Sequence, residues 1–301
     1  MNLVDLANSR LGPPLGILLS RVLPRRTAYR LADSMAAATA RRAELPLVQA
    51  VRANQAVLRD LPYEHPDLGL AGGEVLRHAA RGYVDLFRAM AGGPKALLES
   101  CEADESLVTL LDRGLAGGRG VIAVSAHMSC FDMFLLSLAA RGYQAQALSF
   151  ADPRGSYRVQ NTLRRQYGLN LTPISPQALR SAMRWLREGR LVVTGVDRPA
   201  PEGEELVLFG RRSRLPIGHA RLSIHTGAPI LVGVVQSAGD HHYRVLGKAL
   251  IDPKEEALGR GDAALLAQRA LAVLEDCIRE RPEEWLMFFP VWPEILPGGA
   301  S

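Results

Sequence analysis

The sequence predicts an α/β fold: a central, mostly parallel sheet flanked by helices, with a helical N-terminal region packed against it. Three observations lead there. Up to about residue 110, apolar residues recur at three- and four-residue spacing, punctuated by Pro46, Pro62 and Pro66, as amphipathic helices require. From Gly117 the pattern changes: Gly120-Val121-Ile122-Ala123-Val124 is a short continuous apolar run, the mark of a strand buried on both faces. Such runs then alternate with helical stretches, which places helices on the faces of a sheet.

Each element follows from its local pattern. The N-terminal helices are expected over Ala28 to Ala43, Leu47 to Leu58 and Gly73 to Met90. After the first strand, Phe131 to Ala140 reads as a helix closed by Arg141-Gly142. Next come a strand over Gln144 to Phe150, a helix over Ser156 to Tyr167, a strand over Leu169 to Ile174 and a helix over Pro176 to Arg187. Leu191 to Val196 and Glu205 to Phe209 read as strands, and Gly218 to His225 as a helix. Strands over Ile230 to Val235 and Tyr243 to Leu246, a long helix over Asp262 to Arg281 and a final buried strand over Trp285 to Phe289 complete the chain. With no internal repeat and no flexible linker, residues 1–301 are read as one domain, helical over 1–110 and α/β over 111–301.

The composition is that of a globular chain: 301 residues, 48% hydrophobic and 22% charged, which excludes disordered and collagen-like classes. A chain of this length removes roughly 75% of its unfolded surface from water and needs no covalent or metal staple. Cys101, Cys130 and Cys277 are far apart, arguing against a disulfide framework or a Cys-rich zinc site and for a reducing compartment. The net charge is +5, and of 36 basic residues only Lys95, Lys248 and Lys254 are lysine. Arginine pairs with phosphate oxygens in bidentate fashion, so this balance suits a phosphorylated ligand or an anionic membrane as well as it suits nucleic acid, for which it is weak support. Pro14 to Leu23 is too short to span a bilayer and contains Arg21. Followed by Arg25, Arg26 and Arg30, it fits a helix lying on a membrane, and equally a helix packed on the domain with a solvated basic face.

Ligands of such sheets sit beyond the carboxyl ends of the strands, so the turn after Val121–Val124 is the first place to look for chemistry. It reads Ser125-Ala126-His127-Met128-Ser129-Cys130-Phe131-Asp132. If His127 sits in the turn and folds back over the helix start, Asp132 accepts a hydrogen bond from one ring nitrogen and leaves the other as a base. An imidazole held this way takes a proton from a hydroxyl near neutral pH, a contribution of roughly 10²–10⁴ in rate. The alternative is a strand-end histidine beside an aspartate that only complements the helix dipole. Arg198 follows a strand end on the same sheet edge and is the leading anion-binding candidate. Arg211, Arg212 and Arg214 read either as a phosphate clamp or, for at least one of them, as a solvated basic loop; Arg164 and Arg165 are weaker candidates on a helix. Cys130 beside His127 is a poor nucleophile candidate, because adjacent helix-start residues rarely aim together. His241 and His242, as neighbours on a strand, would point to opposite faces and share no metal. His219 and His225 read as packing or capping residues on a helix.

His127-x4-Asp132 after an apolar strand resembles the signature of the lysophospholipid and glycerol-3-phosphate acyltransferase superfamily. Asp197-Arg198-Pro199, Leu208-Phe209-Gly210-Arg211, Leu215-Pro216-Ile217-Gly218-His219-Ala220, Thr226-Gly227-Ala228-Pro229-Ile230 and Arg281-Pro282-Glu283-Glu284-Trp285 follow, in order and separation, its lipid A and phosphatidylinositol mannoside acyltransferase branch. The match covers about residues 110 to 292. Met128 and Cys130 inside the motif, and Leu-Phe-Gly in place of the common Phe-Phe-Gly, depart from the family pattern. The resemblance implies a glycerol-3-phosphate acyltransferase-like fold and acyl transfer from coenzyme A or acyl carrier protein to a hydroxyl of a glycolipid or lysophospholipid. It implies His127 as general base, Asp132 as its orienting partner, and no metal or cofactor. Glu205, five residues before Gly210, matches an acid of the mannoside branch that contributes to the site; its other reading is a solvated charge in the Glu202-Gly203-Glu204-Glu205 run. The expected partners are an acyl thioester, a lipid acceptor and the cytoplasmic-side surface of the inner membrane, with no nucleic acid. A thioesterase or lipid hydrolase, and a lipid-binding protein without turnover, are the rival classes.

Overall fold

The computed structural model describes residues 12–149, 161, 165, 170–239 and 241–298. The described residues begin with four helices: α1 (Gly12–Val22), α2 (Arg25–Ala40), α3 (Pro46–Leu58) and the 34-residue α4 (Asp67–Ser100). Pro46 starts α3 at a position where its missing N–H costs nothing. In α4, buried Leu68, Ala71, Val75, Ala79, Gly82 and Leu86 recur every three or four residues, so one stripe faces the protein. The helix breaks at Gly93, which adopts φ 78°, just before Pro94. α1, α2 and α3 all pack on α4.

The helical N-terminal region ends sooner than the sequence suggests. Cys101–Ala103 is a short strand, β1, already part of the sheet. α5 (Glu105–Ala116) follows, with the Asp104 side chain accepting from the Ser106 N–H as its cap. Next come β2 (Val121–Ser125), α6 (Phe131–Ala140), β3 (Ala145–Ser149), β4 (Asn170–Pro173), α7 (Pro176–Arg187) and β5 (Leu191–Gly195). β6 (Glu204–Leu208) and β7 (Arg211–Leu215) pair antiparallel as a separate hairpin. α8 (Gly218–Thr226), β8 (Ile230–Ser237), β9 (Tyr243–Ile251) and α9 (Ala263–Glu280) complete the order. Of the helix expected over Ser156 to Tyr167, only positions 161 and 165 are described, and both are helical.

Among the described residues the main sheet has seven strands in the order β1-β9-β8-β2-β5-β3-β4. Its pairings are parallel except that of β8 with β9, as expected of a mostly parallel α/β sheet. Successive residues of β2 alternate between two cores. Val121 and Ala123 join Val193, Leu231, Leu86 and Leu136 on the side of α4, α5 and α6. Ile122 and Val124 join Val192, Val232, Leu186 and Leu274 on the side of α7, α8 and α9. Burial on both faces explains the uninterrupted apolar runs. Gly120 leads into β2 at φ 66°, and a Cβ there would meet the Arg190 carbonyl oxygen at 2.5 Å, so only glycine fits.

The expected strand over Trp285 to Phe289 is absent. This segment runs irregularly, with one antiparallel bridge from Met128 to Trp285, because its backbone groups bond to a loop and to side chains instead of to a ladder. Asn54, buried in α3, donates to the carbonyls of Met287 (3.0 Å) and Phe289 (2.9 Å) and accepts from the Val291 N–H (3.0 Å). Its neighbour Gln55 donates to the Pro282 carbonyl at 2.9 Å.

Candidate active site

The site follows from the register of two adjacent parallel strands. β2 and β5 are aligned with Ser125 opposite Gly195. The chain leaves both strands at the same sheet edge, so residue 127 and residue 197 stand two positions beyond that pair and emerge side by side. His127 Nδ1 lies 2.6 Å from Asp197 Oδ1, and the His127 backbone N–H donates to Asp197 Oδ2 at 2.9 Å. A carboxylate only accepts, so the Nδ1 proton points at Asp197 and Nε2 is left with a lone pair. Asp197 is fully buried, whereas the His127 side chain keeps 29% of its surface. The ring meets Phe131 edge-on at 5.0 Å.

Asp197, and not Asp132, therefore fixes the His127 tautomer. Asp132 occupies the first turn of α6, buried, and acts on the imidazole through its charge. The two differ because Asp132 is carried by the helix that starts after the turn, whereas Asp197 comes from the neighbouring strand in register.

Burial works against a charge on His127, yet the charge and hydrogen bond of Asp197 carry its pKa above the ordinary imidazole value; Arg198 opposes and Asp132 assists. Burial likewise works against the Asp197 carboxylate, but the charge and hydrogen bond of His127, with a further bond from the Trp285 indole, keep its pKa below the usual range. Burial pushes the Cys130 thiol well above its normal pKa, and its Sγ lies 3.5 Å from the Gly82 carbonyl oxygen, so no thiolate nucleophile stands there.

Under the turn lies the irregular segment 284–286. Leu286 N–H donates to the His127 carbonyl at 2.7 Å, and Ser129 N–H donates to the Glu284 carbonyl at 2.7 Å. Ser129, at φ 50°, also donates its hydroxyl to Glu284 Oε2 at 2.8 Å, and His78 Nε2 lies 2.9 Å from that hydroxyl. Buried Glu284 accepts further bonds from the Ser237 N–H and from Arg281. Trp285 Nε1 donates to Asp197 Oδ2 at 2.8 Å.

The arginine candidates divide. Arg198 sits beside Asp197, its guanidinium 3.7 Å from the centroid of the Phe289 ring. Arg211, Arg212 and Arg214 are all exposed on the β6–β7 hairpin, Arg212 and Arg214 on one face and Arg211 on the other at the strand's start, and Arg212 pairs with Glu205 at 2.6 Å. Glu205 is thus a solvent-facing residue that sits opposite Arg214 and turns diagonally across the hairpin to Arg212. Arg164 lies outside the described residues. Arg165 donates to the Leu171 carbonyl at 3.0 Å. His241 and His242 lie in the turn before β9 and not on the strand, so their rings stack 4.7 Å apart instead of diverging. His219, buried in the first turn of α8, has its pKa pushed down to about 4 by burial.

A family model, that of the bacterial lipid A biosynthesis acyltransferases, matches residues 16–294. The chain belongs to this family. Membership of an acyltransferase family agrees with the motif order from His127 to Trp285. Two curated relatives are phosphatidylinositol mannoside acyltransferases of Mycobacterium tuberculosis, from strains H37Rv and CDC 1551. They are 27% identical over 191 residues and 26% over 189, covering 60% of this chain. The matches span 57% of each relative, a little over half its length.

Asp197, Trp285, Glu284 and Ser129 were not singled out by the sequence as site residues. Asp197 had a visible signal, since it precedes Arg198 at the strand end already placed on the edge with His127. Glu284 and Ser129 had none, because their meeting depends on an irregular segment.

Proposed function

We propose that this family member moves a fatty acyl group from an acyl thioester to a hydroxyl of a glycolipid or lysophospholipid, at a membrane surface. The observation that carries the reading is the imidazole of His127, part-exposed at the carboxyl edge of the sheet with Nδ1 committed to a buried carboxylate. Nε2 removes the proton of the acceptor hydroxyl as its oxygen attacks the thioester carbonyl carbon. The tetrahedral intermediate collapses with cleavage of the C–S bond, and the thiolate takes the proton back from the imidazolium. No acyl-enzyme forms, in keeping with the protonated, buried Cys130. Asp197 holds the tautomer and stabilises the imidazolium, the division of labour found in a hydrolase triad without its serine. The charge of Asp132 favours the imidazolium as well. Arg198, beside the dyad, meets an anionic part of donor or acceptor in this reading. Glu205, Arg212 and Arg214 form an exposed mixed-charge face, with Arg211 exposed beside it, suited to the polar portion of a substrate and not to proton transfer at His127.

α1 supports the membrane reading: Leu18, Leu19 and Val22 are 58%, 41% and 73% exposed, with Arg21, Arg26 and Arg30 exposed around them. Among the described residues no helix is long and apolar enough to cross a membrane.

The test is thiol release from palmitoyl-coenzyme A and palmitoyl-carrier protein, with and without lysophospholipids or mannosylated phosphatidylinositol, the class named in the relatives. Acceptor-dependent release with an acylated lipid product, lost in His127→Ala, is the expected result. Release without acceptor would replace the reading with a thioesterase. Folded protein that binds lipid but never releases thiol would replace it with a carrier.

A further inference from the structure

We propose that Trp285 is a positioning residue of this site: its indole N–H holds the Asp197 carboxylate in the orientation that receives the His127 Nδ1 proton. The inference rests on the acyl-transfer reading and deepens it. Three donors reach Asp197: Nδ1 of His127 at Oδ1, and at Oδ2 the His127 backbone N–H and Trp285 Nε1. Two come from the histidine that the carboxylate serves. Trp285 is the donor from elsewhere in the chain, and it fixes the carboxylate relative to the fold instead of relative to its own substrate-facing partner.

The indole is held rigidly enough for this task. It is 1% exposed and packs edge-on against Phe209 at 5.6 Å and Trp292 at 6.4 Å. Its backbone bridges to Met128, and the residues on either side are bonded to the His127 carbonyl and to Ser129. One three-residue segment thus grips the histidine turn and the carboxylate together, so neither moves without the other.

The charged groups facing His127 are Asp197 beyond β5, Arg198 beside it and Asp132 at the start of α6. Glu284, next to Trp285, is turned away to Ser129, Ser237 and Arg281. The indole donor bonds to Asp197 in both states of the dyad. It is worth more when His127 is neutral and the pair carries a net negative charge than when the imidazolium neutralises it. Losing the N–H therefore makes the dyad bind its proton more tightly. The acid limb of kcat/KM, which reports that proton in the free enzyme, moves to higher pH. A residue that served only as packing would leave the limb where it is.

The decisive variant keeps the ring shape and removes only the donor: 3-benzothienylalanine incorporated at position 285, with Trp285→Phe as a second variant. Two readouts are taken on the full chain. One is the pH profile of acyl transfer; the other is the NMR titration of the His127 ring, assigned by comparison with His127→Gln. The isostere should move both upward by roughly 0.5 to 1 on the pH scale and lower kcat roughly tenfold. Profiles and titrations that coincide with the wild type would overturn the proposal. If no acyl transfer is found even in the wild type, the acyl-transfer reading fails, and the NMR titration still decides whether Trp285 governs the dyad.

Discussion

A Cβ built on Gly195 would lie 2.9 Å from His127 Cε1 and 3.5 Å from both ring nitrogens. At the end of β5 the backbone thus forms one wall of the imidazole site, and its lack of a side chain is a condition of the ring position. Gly195→Ala should leave the fold intact, because the position is exposed, while displacing a ring that Asp197 holds from the other side. The expected result is a fall in kcat of roughly 10- to 100-fold with an unchanged melting temperature, measured by steady-state turnover and calorimetry. At this scale the sequence disclosed His127 and the strand-end placement of Arg198, since both follow from an apolar run ending in polar residues. It pointed to Asp132 as the partner because spacing along the chain is visible and strand register is not. Once Ser125 pairs with Gly195, Asp197 is the carboxylate that arrives beside the ring.

Among the elements, the irregular C-terminal segment does the work that a regular strand was expected to do. Its carbonyls and N–H groups are matched one by one by Asn54 and Gln55 on α3, by His127 and by Ser129. Asn54→Ala would strand two carbonyls and one N–H in the interior. The expected loss is roughly 2–4 kcal/mol of stability, read as a lowered midpoint in urea with an unchanged slope. Activity should fall more than stability explains, because the same segment carries Trp285 and the bond to the His127 carbonyl. The central strands β2, β5 and β8 were legible as apolar runs, and α6, α7 and α9 as periodic stretches. β1 was not, because three residues carry no period; nor was the segment after α9, where Trp285, Met287 and Val291 are buried as in a strand but no ladder forms. The two polar residues inside the apolar pattern of α3 were the available sign that this helix holds something other than hydrophobic neighbours.

At the scale of the molecule, the proposed function assigns reaching a lipid to the helical N-terminal region and acting on it to the sheet edge. α1 presents Leu18, Leu19 and Val22 to solvent among arginines, and the sheet edge presents His127. Vesicles with an anionic lipid should therefore capture the protein in a salt-dependent manner. The triple change Leu18→Ser, Leu19→Ser and Val22→Ser should abolish cosedimentation while sparing turnover of a detergent-dispersed acceptor. Equal cosedimentation of the variant would remove α1 from the membrane contact.

The central claim is that a buried carboxylate makes His127 the base, and it is tested most directly by the pH dependence of kcat/KM in Asp197→Asn. The base must be neutral to act, so the rate rises with pH through the pKa of His127, which Asp197 holds above the ordinary imidazole value. Removing the charge should move that acid limb to lower pH, and losing the acceptor of the Nδ1 proton should lower the plateau by roughly 10²–10⁴. A variant with wild-type plateau and limb, beside an inactive His127→Ala, would contradict the account.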